Sequence, residues 1–185
     1  MAPPRLKQRS YAVFYLLATA ALIIVIRWWL GNMFADPYAA PQKLTDGKYY
    51  IDEVTDSVSF LVTPVQSDVN IVKSFRVRLA GVKNKDYEKS AIARSARLFI
   101  EEFVRAADGQ RLIVRLQFDR YRLDSNDTAL AYLWIKDRIL NVELARAGFV
   151  LPDNIVGNSP SIQRKIKLAS EEARENGVGI FSGAQ

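Results

Sequence analysis

The chain contains no histidine and no cysteine. Histidine bases, Ser-His-Asp triads, thiolate nucleophiles, thiolate zinc sites, iron–sulfur clusters and disulfide scaffolds are therefore excluded. The chemistry left is that of carboxylates, Arg, Lys, Tyr and Ser, with any metal held through oxygen. Each residue of interest also has a plainer role. Arg78 sits at an outward position of an alternating stretch, and Asp56 lies in a turn-forming Thr-Asp-Ser string, where aspartate is common. Asp86 stands where it could cap a helix starting near Tyr87. Arg111, Arg115, Arg120 and Arg122 suggest a basic strand edge, for which solvated strand positions are the simpler reading. Tyr121 and Tyr132 could stack on bases, but Tyr132 and Trp134 read as core residues.

The elements that must carry these residues follow from hydrophobic periodicity. Lys48–Val54 and Ser57–Thr63 are rich in strand formers, with a turn near Thr55-Asp56. Asn70–Val82 alternates Val72, Phe75, Val77 and Leu79 with Lys73, Arg76 and Arg78, which predicts a strand with one buried face. Tyr87–Ala107 carries Ile92, Ala96, Phe99, Ile100 and Phe103 on one helical stripe and stops at Asp108-Gly109. Strands are expected over Leu112–Asp119 and Leu130–Ile135, with Asn126-Asp127 turning between them. Short helices are expected over Ile139–Ala147, ending at Gly148, and over Ser161–Asn176, closed by Gly177. The order predicts an α+β fold: a five-stranded OB-type β-barrel with packed helices.

Ahead of this domain, Ser10–Ile26 has no charged residue, and Tyr11–Leu30 is long enough to span a bilayer as a helix of about 30 Å. Arg27 falls in its last turn, where the guanidinium can reach the interface beside Trp28 and Trp29. Three readings compete: a buried core helix, against which nothing polar marks a solvent face; a short amphipathic targeting helix, against which the apolar face runs all round; and a cleaved signal peptide, whose cleavage context is poor because Ala40 precedes Pro41 and Tyr38 occupies a position that wants a small side chain. The expected organisation is a tail over 1–10, a transmembrane helix over 11–30, a linker over 31–47 and the barrel domain over 48–182. Arg5, Lys7 and Arg9 before the span place the N-terminus in the cytoplasm or matrix and the domain across the membrane.

Of the 185 residues, 26 are Lys or Arg and 20 are Asp or Glu, for a formal charge of +6. Residues 1–40 hold Arg5, Lys7, Arg9 and Arg27 against Asp36, so 22 basic and 19 acidic groups remain for 41–185. Such near-balance disfavours nucleic acid as a partner, because phosphate-backbone binders concentrate basic charge on one face.

Four strings, in order, resemble the staphylococcal nuclease (thermonuclease-like) family over about residues 48–182. They are Phe75-Arg76-Val77-Arg78-Leu79-Ala80-Gly81-Val82, Asp124 through Leu130-Ala131-Tyr132-Leu133, Asn141-Val142-Glu143-Leu144-Ala145-Arg146-Ala147-Gly148-Phe149, and Glu172-Ala173-Arg174 followed by Gly177-Val178-Gly179-Ile180-Phe181. The resemblance implies a centre in which aspartates hold Ca²⁺, a glutamate acts on the attacking water and two arginines neutralise the phosphate charge of the transition state. Its motif, R-x-x-x-[VIL]-D-x-P-E, is matched by Arg78 and Val82 and then departs. Lys83 replaces the metal-binding aspartate, Lys85 the proline and Asp86 the glutamate. Thr128 stands for the second arginine, and Asn126 for a nucleotide-holding tyrosine. Asp56 matches the other metal aspartate.

An ammonium at Lys83 would oppose a unit positive charge by about 4 kcal/mol at ~4 Å and an effective dielectric of ~20, and a divalent ion by twice that. Loss of a phosphate-stabilising arginine costs on the order of 10³–10⁵ in rate in comparable phosphoryl transfers. The departures thus imply no enzyme activity, no cofactor and no metal, with Arg78, Asp86 and Thr128 as vestigial nuclease positions and Asp56 and Lys83 as vestigial metal positions. The expected role is a structural or accessory subunit of a membrane protein complex, in the bilayer through residues 11–30, with the mitochondrial inner membrane as the expected setting. A membrane-tethered Ca²⁺-dependent nuclease and an OB-type nucleic-acid-binding module are the alternatives.

Overall fold

A computed structural model describes residues 15, 17–27, 29, 36–65, 73–84, 91–104, 112–154 and 159–182; the side chains of 119–121 fall outside this description. The chain divides into two compact units, Met1–Pro37 and Tyr38–Gln185.

In the first unit, residues 15, 17–27 and 29 are helical, and Leu22, Ile23, Ile24, Val25 and Trp29 are exposed. Among the described residues no helix is long and apolar enough to cross a membrane. The expected span 11–30 includes residues outside the description, as does the whole tail 1–10.

The second unit runs β1 (Gly47–Val54), β2 (Ser59–Pro64), β3 (Phe75–Leu79), β4 (Val82–Lys83), α1 (Ala91–Val104), β5 (Ile113–Leu123), β6 (Ala129–Ile135), β7 (Arg138–Ile139), α2 (Leu140–Arg146), β8 (Leu151–Pro152) and α3 (Pro160–Glu175), with a 3₁₀ turn at Gly179–Phe181. The strands order as β3-β2-β1-β5-β6-β7, and β3 also pairs with β6. Every neighbouring pair is antiparallel except β3–β6, which is parallel through Val77↔Ala129, Arg78↔Leu130 and Leu79↔Ala131. This pairing closes β1, β2, β3, β6 and β5 into a mixed barrel. Among the described residues three short strands lie outside that ring: β7 extends it beside β6, and β4 pairs with β8.

Alternation decides what faces inward. On β3, Phe75, Val77 and Leu79 are buried while Arg76 and Arg78 are half-buried; on β5, Val114, Leu116 and Phe118 are buried while Arg115 is exposed. Tyr49 meets Phe75 and Phe118 edge-on at centroid distances of 5.9 and 6.1 Å. On α1, Ala96, Ile100 and Val104 are buried, with Phe99 and Phe103 packed beside the core. On β6, all of Ala129–Leu133 is buried, because α2 packs against this strand and α3 against α2.

Several expected boundaries shift. The strand foreseen over Asn70–Val82 is β3 and β4 separated by a turn at Ala80-Gly81, with residues 70–72 outside the description. β5 extends past Asp119 to Leu123, with a register shift between Phe118 and Leu123. Residues 38–47, expected as linker, pack on the barrel. Tyr38 O accepts Arg76 N–H, Leu44 is buried and its carbonyl accepts the Arg122 guanidinium, and Asp46 Oδ1 accepts Phe118 N–H. Tyr132 is buried as expected. Trp134 is only half-buried: its indole N–H donates to Gln117 Oε1 at 3.1 Å and the Arg115 guanidinium covers its ring at 4.6 Å.

Two polar devices fix the helices. Asn141, fully buried in α2, accepts Leu133 N–H at 3.1 Å and donates to Ala80 O at 2.8 Å and Ala131 O at 3.4 Å. It thereby ties α2 to β6 and to the end of β3. On the surface, Glu143 accepts from Arg138 at 3.0 Å and Arg146 at 2.8 Å, and Arg146 reaches Glu172 of α3 at 3.2 Å. Burial alone would raise the Glu143 carboxyl, but the hydrogen bonds and charges of Arg138 and Arg146 outweigh it and hold its pKa below the ordinary value. A carboxylate so depressed stabilises the fold fully above its unfolded pKa of about 4.3 and loses that contribution as pH falls through the folded value. Glu143→Gln is therefore expected to lower stability at pH 7 by up to about 1 kcal/mol. Urea titrations across pH should find the gap to wild type closing in that acid window.

Candidate functional site

Of the five positions expected to carry chemistry, four lie among the described residues. Asp86 lies outside them, as does Lys85.

Arg78 projects from the outer face of β3, opposite Ser59 on β2 and beside Leu130 on β6. Its guanidinium lies 3.8 Å from Asp124 Oδ2, with the two side chains 34% and 11% exposed. Asp124 governs the β5–β6 loop: its Oδ1 accepts the N–H groups of Asn126 (2.8 Å) and Thr128 (3.0 Å), and its own N–H donates to Thr128 O at 2.9 Å. An Asx turn of this kind replaces a backbone turn with side-chain acceptors. Arg78 and Thr128 are thus brought together through one carboxylate, a link that no single string of the sequence contains. The signal available was an Asp opening a Ser-Asn-Asp turn.

Asp56 acts in its own turn. Its Oδ1 accepts Val58 N–H at 2.7 Å, and the turn closes with Thr55 and Asp56 N–H donating to Ser59 O at 3.0 and 3.3 Å. The adjacent Ser57 hydroxyl donates to Asn84 Oδ1 at 2.8 Å, which draws the end of β4 beside this turn. Lys83, immediately before Asn84, is exposed and pairs in register with Leu151 of β8. Leu79 N–H donates to Val58 O at 2.8 Å, so the Asp56 turn and the Arg78 strand are directly joined.

Above the turn lies a groove of about 430 Å³ between Thr55, Asp56 and Ser57 and the α1 residues Ala93, Arg94 and Arg97. Among the described residues Thr55 Oγ1 is buried without a hydrogen-bond partner, and Arg97 is paired with Glu101 at 3.0 Å. Among the described residues no group of three or more acidic side chains converges on a point where a metal could sit.

The arrangement sorts charge by role. One guanidinium already faces a carboxylate, one carboxylate already caps a turn, and an ammonium follows the β3–β4 corner. Asp124→Ala is expected to cost about 1–2 kcal/mol by freeing two loop N–H groups. Arg78→Ala should cost well under 1 kcal/mol, because a pair this exposed is screened by solvent. A double-mutant cycle by chemical denaturation measures the coupling.

The architecture defines the class: a closed five-stranded mixed barrel with packed helices, compatible with an OB or staphylococcal-nuclease-like fold. No protein-family model matches the chain, and no curated protein matches its sequence.

Proposed function

We propose that the chain is a membrane-tethered structural subunit whose barrel is a nuclease-like domain without a working phosphodiesterase centre. The engagement of Arg78 with Asp124 carries this reading. A guanidinium needed for transition-state charge instead faces, at 3.8 Å, a carboxylate whose other oxygen holds the loop at Thr128. Lys83, exposed at the position where the family resemblance calls for a metal aspartate, supports the same reading. The exposed apolar side chains of the helical residues 22–26 support a bilayer anchor over 11–30. In this reading the N-terminus lies on the matrix or cytoplasmic side and the barrel on the opposite side. The partners are other subunits of a membrane complex, with the mitochondrial inner membrane as the setting.

The test has two arms. Purified full-length chain in mild detergent should not digest single-stranded DNA in Ca²⁺. Turnover that disappears in Arg78→Ala would establish the tethered nuclease instead. In native electrophoresis of solubilised membranes the chain should co-migrate with other subunits, and migration as a lone 20.9 kDa species counts against the subunit role.

A further inference from the structure

The outer wall formed by β1, β5 and β6 carries a row that the nuclease-like site does not use. Lys48 stands directly opposite Arg115, and Arg115 directly opposite Trp134. Both cations are exposed, and among the described residues neither makes an ion pair. Like charges facing each other across two strands are destabilising unless an anion lies between them. The Arg115 guanidinium is held over the Trp134 ring at 4.6 Å, and Gln117 fixes that ring through the indole N–H, so the cation is presented on a rigid seat. Two residues before Arg115 on the same face, Ile113 is 45% exposed. Ile113 and Lys48 both line a groove of about 510 Å³ with Pro64, Val65 and Tyr49. Asp46 also lines it and keeps its negative charge while accepting Phe118 N–H at 2.9 Å, so Lys48 and Arg115 exceed it by one positive charge.

A cation pair beside an exposed apolar groove suits an anionic amphiphile. The sequence supplies a source. If 11–30 spans the bilayer, seven residues (31–37) separate it from the barrel unit that starts at Tyr38. Such a tether reaches at most about 25 Å when fully extended. We propose that this wall docks on acidic phospholipid, with the headgroup phosphate between Lys48 and Arg115 and the interfacial acyl region against Ile113, Pro64 and Val65. The proposal rests on reading 11–30 as a membrane anchor.

Because the chain has no cysteine, Ile113→Cys introduces a single thiol for a fluorescent label. Full-length labelled chain is reconstituted into vesicles of neutral phosphatidylcholine, with or without acidic phosphatidylglycerol, each doped with brominated lipid. Quenching is expected to be several-fold stronger in the acidic vesicles. Lys48→Glu with Arg115→Glu, which leaves the core untouched, should lower the docked-to-free ratio roughly tenfold or more. Raising salt to about 0.5 M should act in the same direction. A label at Leu168→Cys on α3 should stay unquenched in both. Equal quenching in both lipids, quenching at Leu168 as strong as at Ile113, or indifference to the double charge reversal overturns the proposal. Binding of a single-stranded oligonucleotide that the double reversal abolishes, without lipid quenching, overturns it in favour of a nucleic-acid surface. Release of the chain from neutral vesicles by alkaline carbonate ends the anchor reading and this one together, whereas retention without acid-dependent quenching ends only this one.

Discussion

Replacing Asn141 with leucine is expected to destabilise the barrel unit by about 3 kcal/mol or more, although the two side chains have the same number of non-hydrogen atoms. The amide is wholly buried and serves three backbone groups at once. Leucine would leave the Leu133 N–H and the Ala80 carbonyl without their side-chain partner. Each buried polar group left unpaired costs about 1–3 kcal/mol, far more than the modest net gain of an ordinary hydrogen bond. In a unit of this size the loss corresponds to a fall of roughly 10 °C in melting temperature. Asn141→Asp should be comparably harmful, since the acid loses the donor that Ala80 O requires. Calorimetry on the three proteins checks both expectations, and a change below about 1 kcal/mol for leucine would remove Asn141 from its assigned role.

An equally large effect is expected at Gly179. Its backbone has φ +59°, and a Cβ there would lie 2.3 Å from Gly148 O and 2.6 Å from Ala147 O. Both obstacles are backbone atoms, held where Ile180 N–H donates to Gly148 O at 2.9 Å. Gly179→Ala must therefore both adopt a left-handed conformation and push the end of α2 away from the chain that follows α3. About 3 kcal/mol or more is expected, with loss of the 3₁₀ turn. Gly177 provides the internal control. It has φ +63°, but among the described residues a methyl group at this position would meet nothing within 4 Å, so Gly177→Ala should show only the conformational cost of about 1 kcal/mol. Equal effects at the two positions, measured by urea denaturation, would mean that the close approach contributes nothing.

The parts of this fold that are legible in the sequence are those whose pattern is complete within one element. Phe75, Val77 and Leu79 alternate with arginines, Val114, Leu116 and Phe118 alternate likewise, and α3 ends one residue before its expected stop at Asn176. The strands β4, β7 and β8 are not legible, because two residues have no period and exist as strands only through tertiary pairing. Trp134 reads as core from its apolar neighbours, and the guanidinium that covers it comes from another strand. The same limit applies to the site. That Asp56 serves a turn can be read locally, since its acceptor bond closes within two residues. That Arg78 faces Asp124 cannot, since the two are brought together only when β3 meets β6.

That meeting has a consequence for biosynthesis. The residues that pair with Val77, Arg78 and Leu79 on the closing side are Ala129, Leu130 and Ala131, about fifty positions later. At roughly 5–20 residues per second, a ribosome needs several seconds to deliver them. During that interval β1, β2 and β3 would form a meander with two uncovered edges, β1 until β5 arrives and β3 until β6 does, the kind of template on which nascent chains stick to one another. Arg76 and Arg78 put two positive charges along the β3 edge, the later of the two to be covered. An apolar substitution of Arg78 would then be felt less in the finished barrel than in the yield of soluble chain, and most of all at high rates of expression.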